Sequence, residues 1–333
     1  MAADRVLYIG TNEGVYCAEP NGGDDYSVRS LGLQGQGMIR CPVLVDKDDP
    51  RLLYTGTTKG GMFRSEDGGE RWTEINQGIT YKEVWSTAQN PTTGEIVVGT
   101  GPASVFKSTN RGESWSDCEH LRSLPETKEW TFPNPPHVAH VKGLDISGSR
   151  IMGAVEEGWL VRSADNGQTW QDILSGTNFD SHYVLTMPDN PDIVISTSGG
   201  GIYRSEDGGV TFGDWMQGLN ARYMAQITVH PSRPNVLFTA AAEVPPPGWR
   251  RPEGANAGFF RSENQGKSWD RLSGGLPYFK AAPRAVAGDP DDPNAFFVGM
   301  TDGTVWMTED GGESFTQIIS GLGQVLSLRP AHR

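Results

Sequence analysis

The sequence predicts an all-β fold, a single β-propeller of seven four-stranded blades. Three observations predict it. A short motif recurs six times, the recurrences are spaced at about the length of one blade, and the two chain ends hold complementary parts of a seventh blade.

The motif is Ser/Thr-x-Asp/Asn-x-Gly-x-x-Trp/Phe. Its copies are Ser65-Asp67-Gly69-Trp72, Ser108-Asn110-Gly112-Trp115, Ser163-Asp165-Gly167-Trp170, Ser205-Asp207-Gly209-Phe212, Ser262-Asn264-Gly266-Trp269 and Thr308-Asp310-Gly312-Phe315. In each, the Asp or Asn is placed to accept backbone N–H bonds in an Asx-turn. The Gly supplies a positive φ, the hydroxyl satisfies another turn group, and the aromatic packs between blades. The motif is therefore read as a hairpin clasp with no ligand of its own.

The spacing follows. Successive hydroxyl residues lie 43, 55, 42, 57 and 46 residues apart, so two intervals carry insertions. In the second blade Met38–Val45 reads as an inner strand, followed by Leu52–Gly56, Gly61–Arg64 and Arg71–Ile75. Later inner strands start near Glu83, Val138, Ser181, Arg222 and Arg284. The blades then run over about 37–77, 82–117, 138–175, 180–219, 221–277 and 282–321.

The ends supply the seventh. Residues 5–32 hold two strands (Val6–Gly10 and Gly14–Cys17), a degenerate clasp and a last strand near Tyr26–Val28, with no inner strand. Gln324–Leu328 is a spare inner strand, so 322–330 is expected to pair with 5–32 and close the ring, removing exposed sheet edges.

The motif resembles the Asp-box, or BNR, repeat of sialidases, sortilin-type receptors, two-domain xyloglucanases and photosystem II assembly factors. The resemblance covers nearly the whole chain and implies the fold; those families share no single function. A sialidase needs three arginines on the substrate carboxylate and an early Arg-Ile-Pro-like segment, and Ile39-Arg40-Cys41-Pro42 departs from that. The xyloglucanases work in a cleft between two propellers, whereas this sequence predicts one. A glycoside hydrolase would also need two carboxylates on one face, with Glu156, Glu157, Asp180 and Asp302 as candidates.

Composition bounds the function. The chain has 333 residues, 43 Gly and 22 Pro, and a net charge of −13. Many turns fit the fold. The acidity argues against a nucleic-acid binder and against docking on anionic membranes. Met1–Arg5 leads directly into a strand-like run, with no apolar stretch or cleavage pattern, so neither leader nor membrane span is expected. Cys17, Cys41 and Cys118 are odd in number and widely spaced, which favours a reducing, cytoplasmic setting. No P-loop, GxGxxG after a strand, GxSxG or HExxH is present.

Topology says where to look. Clasps are turns between strands three and four, so they mark one face of the ring. The insertions at 117–137, a crossover, and 243–257, a turn between strands two and three, are expected on the other. Long loops of this kind usually carry function, against neutral elaboration. His120, His137, His140 and His182 are assigned to that functional face, His230 to the opposite one and His332 to the tail. His137, His140, His182 and Glu156 form a candidate site for one divalent metal ion. Hydrogen-bonded structural histidines are the alternative, and spacing of three puts His137 and His140 on opposite faces of an extended segment. Arg40, Trp85, Lys142, Arg222, Arg284 and Gln324 lie at the tops of inner strands. They suggest capture of an anionic small molecule, against cations that satisfy neighbouring carbonyls and acids. Trp130 and Trp249 are expected to shield the site, and Tyr223, Glu157 and Asp180 to move protons.

The expected function is a cytoplasmic propeller that binds a small polar anion in a central funnel, with metal-assisted hydrolysis or elimination as its sharper form. The alternative is a non-catalytic scaffold using the same rim for a protein partner; glycoside hydrolysis ranks below both.

Overall fold

The computed structural model describes residues 5–332 except 23–24, 275 and 277–278. Met1–Asp4, part of the degenerate clasp of the first blade and part of the end assigned to the sixth lie outside the described residues.

Seven antiparallel four-stranded sheets form the ring. From the channel outward, blade 1 is Val325–His332, Arg5–Thr11, Val15–Pro20 and Tyr26–Gly32, so the last strand of the chain pairs with the first. Blade 2 is Leu44–Val45, Leu53–Thr57, Gly61–Ser65 and Thr73–Glu74; blade 3 is Glu83–Gln89, Ile96–Gly101, Ser104–Ser108 and Ser116–Asp117. Blades 4 to 7 repeat the order with inner strands His140–Ser147, Ser181–Thr186, Tyr223–His230 and Pro283–Gly288. Among the described residues no helix is long and apolar enough to cross a membrane.

The six motif copies share one hydrogen-bond pattern. The hydroxyl donates to the Asp or Asn Oδ1 at 2.7–3.0 Å and accepts the Gly N–H at 2.8–2.9 Å. The aromatics reach into the neighbouring blade: Trp72 Nε1 donates to Leu31 O at 2.9 Å and Trp115 Nε1 to Ile75 O at 2.7 Å. Burying each such ring contributes roughly 2 kcal/mol.

Blades approach closely because small residues recur in second strands. A Cβ on Gly56, Gly99 or Gly299 would meet Val84, Val141 or Val325 of the next inner strand at 2.1–2.8 Å. A second recurrence was not visible as a motif. After strand four, the chain crosses against the next clasp aromatic, where a Cβ on Gly78, Gly176 or Gly218 would lie 1.9–2.1 Å from the carbonyl of Trp115, Phe212 or Trp269.

Two expectations are corrected. Met38–Val45 is a regular strand only at Leu44–Val45. Pro42 has no N–H to give a ladder, and the preceding residues bond crosswise. Ile39 N donates to Thr11 O at 2.9 Å, and Gly56 N donates to Cys41 Sγ at 3.1 Å. At the other end, His332 is no loose tail but the last residue of the closing strand, and it bonds Asp289 at 2.8 Å.

Candidate functional site

Inner strands enter at the face opposite the clasps, so their first residues ring one channel mouth. There they line a funnel of about 620 Å³: Arg40, Trp85, Lys142, Tyr223 and Arg284 come from the inner edge, Glu156 from the end of the second strand of blade 4, and Glu157 and Asp180 from connecting turns. The insertions add Phe132–Asn134, Pro245–Pro247 and Arg250 to the rim. A narrower pocket of about 60 Å³ continues inward, bounded by Tyr183, Met224, Gln226 and Leu326.

One side of the mouth is cationic. The Arg40 guanidinium lies 4.1 Å from the Trp85 ring centroid, and that of Arg284 lies 4.6 Å from the Trp249 ring. The indoles are themselves held, Trp85 Nε1 to Glu83 Oε1 at 3.0 Å and Trp249 Nε1 to Val244 O at 2.7 Å. Neither arginine has a carboxylate partner among the described residues, and both Nε atoms are buried without a hydrogen bond. Burial, and then repulsion from Arg284, pull Arg40 down to about 10.

The other side is acidic. Glu156 is buried, with Oε2 2.6 Å from His140 Nε2 and Oε1 2.8 Å from Lys142 Nζ. Burial pushes its carboxyl upward, but Lys142 and the His140 bond outweigh that and hold it well below the usual range. Burial draws His140 below its ordinary value, and its ring stacks on Trp85 with centroids 3.3 Å apart. Asp180 Oδ1 lies 3.1 Å from His182 Nε2, while His182 Nδ1 donates to Met224 O at 2.8 Å. The Met224 carbonyl can only accept, so Nδ1 carries a proton and Nε2 is the nitrogen turned to Asp180.

Glu157 differs from its neighbour. It has a positive φ of 53° and no ion pair among the described residues; burial, then Asp180 and Glu156, push its carboxyl up. Adjacent carboxyls with pKa values driven apart are the pattern of an acid–base site. The turn that holds it is pinned from both sides, Thr131 N donating to Glu157 O at 3.1 Å and Gly158 N to Phe179 O at 2.9 Å.

The fold thus brings together Arg40, Trp85, Lys142, Glu156, Glu157, Asp180, His182, Tyr223 and Arg284, with His140 behind Trp85 and Trp249 behind Arg284. It leaves others apart. His137 is exposed, with Nδ1 2.8 Å from Phe132 O, and lines a separate groove with Trp130. Arg222 is exposed and outside the funnel lining, one residue before the inward-facing Tyr223. Asp302 accepts from Thr304 within its own turn. Gln324 is also outside the lining, its carbonyl accepting from Asn12 N at 3.3 Å.

His120 is a correction. Its Nδ1 accepts the backbone N–H of Trp170 at 3.1 Å, beside a clasp and away from the funnel. Trp115 N and Trp269 N make the equivalent bond to the backbone carbonyls of Gln77 and Gln217. Residues 117–137 begin in that structural role, with the short 3₁₀ helices Glu119–Ser123 and Pro125–Lys128, and reach the funnel only at Phe132–Asn134. Sequence reasoning also missed Tyr183, Met224 and Gln226, which lie deeper along inner strands whose tops alone were considered.

No protein-family model matches the chain. It is similar to the curated xyloglucanase Xgh74A of Acetivibrio thermocellus, 26% identical over 216 residues, covering 53% of this chain and 25% of that protein. Among solved structures it resembles a GH74 enzyme of Niastella koreensis (TM-score 0.67, 18% identity, 87% of this chain and 46% of that chain). It also resembles YCF48 of Cyanidioschyzon merolae (TM-score 0.59, 14% identity, 87% of each chain) and YCF48 bound to D1 peptide (TM-score 0.60, 14% identity, 96% and 90%). The chain spans about a quarter of the curated relatives it matches and under half of the GH74 enzyme. At these identities the solved structures establish the seven-bladed fold and no activity.

Proposed function

We propose that this propeller is a cytoplasmic protein that binds a small polar anion in its funnel. The observation that carries the reading is the pair Arg40 and Arg284, two guanidiniums stacked on indoles at one opening without a carboxylate partner. Charges left unpaired in a part-buried site are costly, and an anion that accepts from both relieves them. Cys41 and Cys118, buried free thiols, are in keeping with that compartment.

The catalytic form of this reading assigns Glu157 as the proton-accepting carboxyl and Tyr223 as donor. Burial holds the Tyr223 hydroxyl well above its ordinary value, so it stays protonated. Hydrolysis or elimination on the bound anion would use both.

A divalent metal ion fits only in part. Glu156, Asp180 and His182 each bring one ligand atom, all within 4.8 Å of one another, and the His182 bond to Met224 O is the outer contact a metal-bound imidazole makes. Lys142 Nζ and the His182 ring already occupy an oxygen of each carboxylate, so an ion would have to displace them.

The competing reading, a scaffold that uses the rim for a protein partner, draws on the likeness to YCF48, one structure of which is a complex with D1 peptide. Calorimetric titration separates these readings. Acetate, sulfate and phosphate are expected to bind saturably to the wild type and to lose at least about tenfold in affinity in Arg40→Ala and Arg284→Ala. No saturable anion binding would sink the reading. Binding of Mn²⁺ or Zn²⁺ that is lost in His182→Ala would restore the metal.

A further inference from the structure

We propose that the funnel's ligand is a small zwitterion, an amino carboxylate whose carboxylate is gripped by Arg40 and Arg284 and whose ammonium faces Glu157. This deepens the anion-binding reading and rests on it.

The ring sets the geometry. Arg40 and Arg284 belong to blades 2 and 7, which flank blade 1. Glu157 tops blade 4 and Asp180 enters blade 5, the two blades that face blade 1 across a ring of seven. Both groups line the same open volume.

Charge accounting then isolates the unpaired groups. On the acidic side Lys142 takes Glu156 at 2.8 Å and His182 takes Asp180 at 3.1 Å. Among the described residues Glu157 has no ion pair, and neither has Arg40 or Arg284. Arg250 also reaches the lining but is exposed at the rim, where solvent screens it. Opposite walls therefore present unpaired charge of opposite sign.

A plain carboxylate or inorganic anion answers only the arginines and adds negative charge across from Glu157. A metal ion answers only the acids. One molecule with both charges answers both, and about 620 Å³ lies in the range of organic ligands, roughly 300–1,000 Å³. The backbone supports an assigned position for Glu157. A non-glycine residue held at φ 53° persists only where its surroundings over-determine it, and here Thr131 and Phe179 pin its turn from the crossovers that enter and leave blade 4.

The test is titration calorimetry with γ-aminobutyrate and ε-aminohexanoate against butyrate and butylammonium. At least one amino carboxylate is expected to bind about tenfold tighter than butyrate, the size of one charge-assisted contact. Glu157→Gln, which keeps the turn and the shape, should abolish that preference by weakening the amino carboxylate while butyrate binds as well or better; Arg284→Lys should weaken both ligands. Equal affinity for butyrate and both amino carboxylates, or a preference that survives Glu157→Gln, overturns the zwitterion and leaves the anion site standing. If neither butyrate nor acetate binds, the anion reading fails and the zwitterion with it.

Discussion

Arg5 Nε and Asp289 Oδ2 are 2.6 Å apart, with side chains only 3% and 0% exposed, and they tie the first strand of the chain to the loop after the inner strand of blade 7. Glu309 adds a second carboxylate to Arg5 at 2.6 Å, and His332 of the closing strand bonds the other Asp289 oxygen. The closure between first and last blades is therefore ionic as well as hydrogen-bonded.

Arg5→Ala should destabilise by about 3–5 kcal/mol, because it strands a buried carboxylate. Burial acts upward on Asp289, but the Asp291 N–H, His332 and Arg5 outweigh it and hold the carboxyl low. A depressed folded pKa contributes stability that is present above the unfolded value, about 3.9, and lost as pH falls through the folded one. Melting curves should show wild-type stability declining below about pH 4, with a shallower decline in Asp289→Asn. Identical pH slopes would count against the latch.

Removal of residues 325–333 should open the ring, since Arg5–Thr11 then becomes an unpaired edge. Size-exclusion chromatography is expected to show aggregation. A truncated chain that stays monomeric with an unchanged melting temperature would refute closure by this strand.

His120→Ala should cost about 1–2 kcal/mol, the penalty of leaving the Trp170 N–H without an acceptor. His120→Asn, which can still accept, should recover part of it. Anion affinity should be unchanged in both; a selective loss of affinity would move His120 back to the funnel.

Asp172, in the last strand of blade 4, is pushed up to about 7 by burial, then by its hydrogen bond with Glu126 of the insertion and the charge there. A raised carboxyl pKa gives stability that is full below the unfolded value and lost as pH rises through the folded one. Asp172→Asn should therefore stabilise by about 1 kcal/mol at pH 8, discounted because the group is partly exposed, and by little at pH 4. Equal shifts at both pH values would contradict a raised Asp172 carboxyl.

Trp85→Phe should lower anion affinity about threefold, since the smaller ring gives Arg40 a weaker cation–π platform. Trp85 also supports His140, so circular dichroism and a melting curve must first show a folded variant. Unchanged affinity in a folded protein would mean that Arg40 needs no indole beneath it.

The repeat, the blade count and the closing strand were legible in the amino acids because each rests on local chemistry. A hydroxyl, a carboxyl or amide, a glycine at positive φ and an aromatic specify a clasp within eight residues, and six clasps at blade spacing specify the ring. Topology then put Arg40, Glu156, Asp180 and Arg284 at one mouth. Spacing could not reveal which way neighbouring residues face: Tyr223 turns inward while Arg222 stays exposed, and Glu157 carries an unpaired carboxyl beside a fully partnered Glu156. Nor could it show that His120 substitutes for a backbone carbonyl against Trp170. Those outcomes depend on contacts between residues tens to hundreds of positions apart, and only closure of seven blades around one channel determines which charges meet a partner.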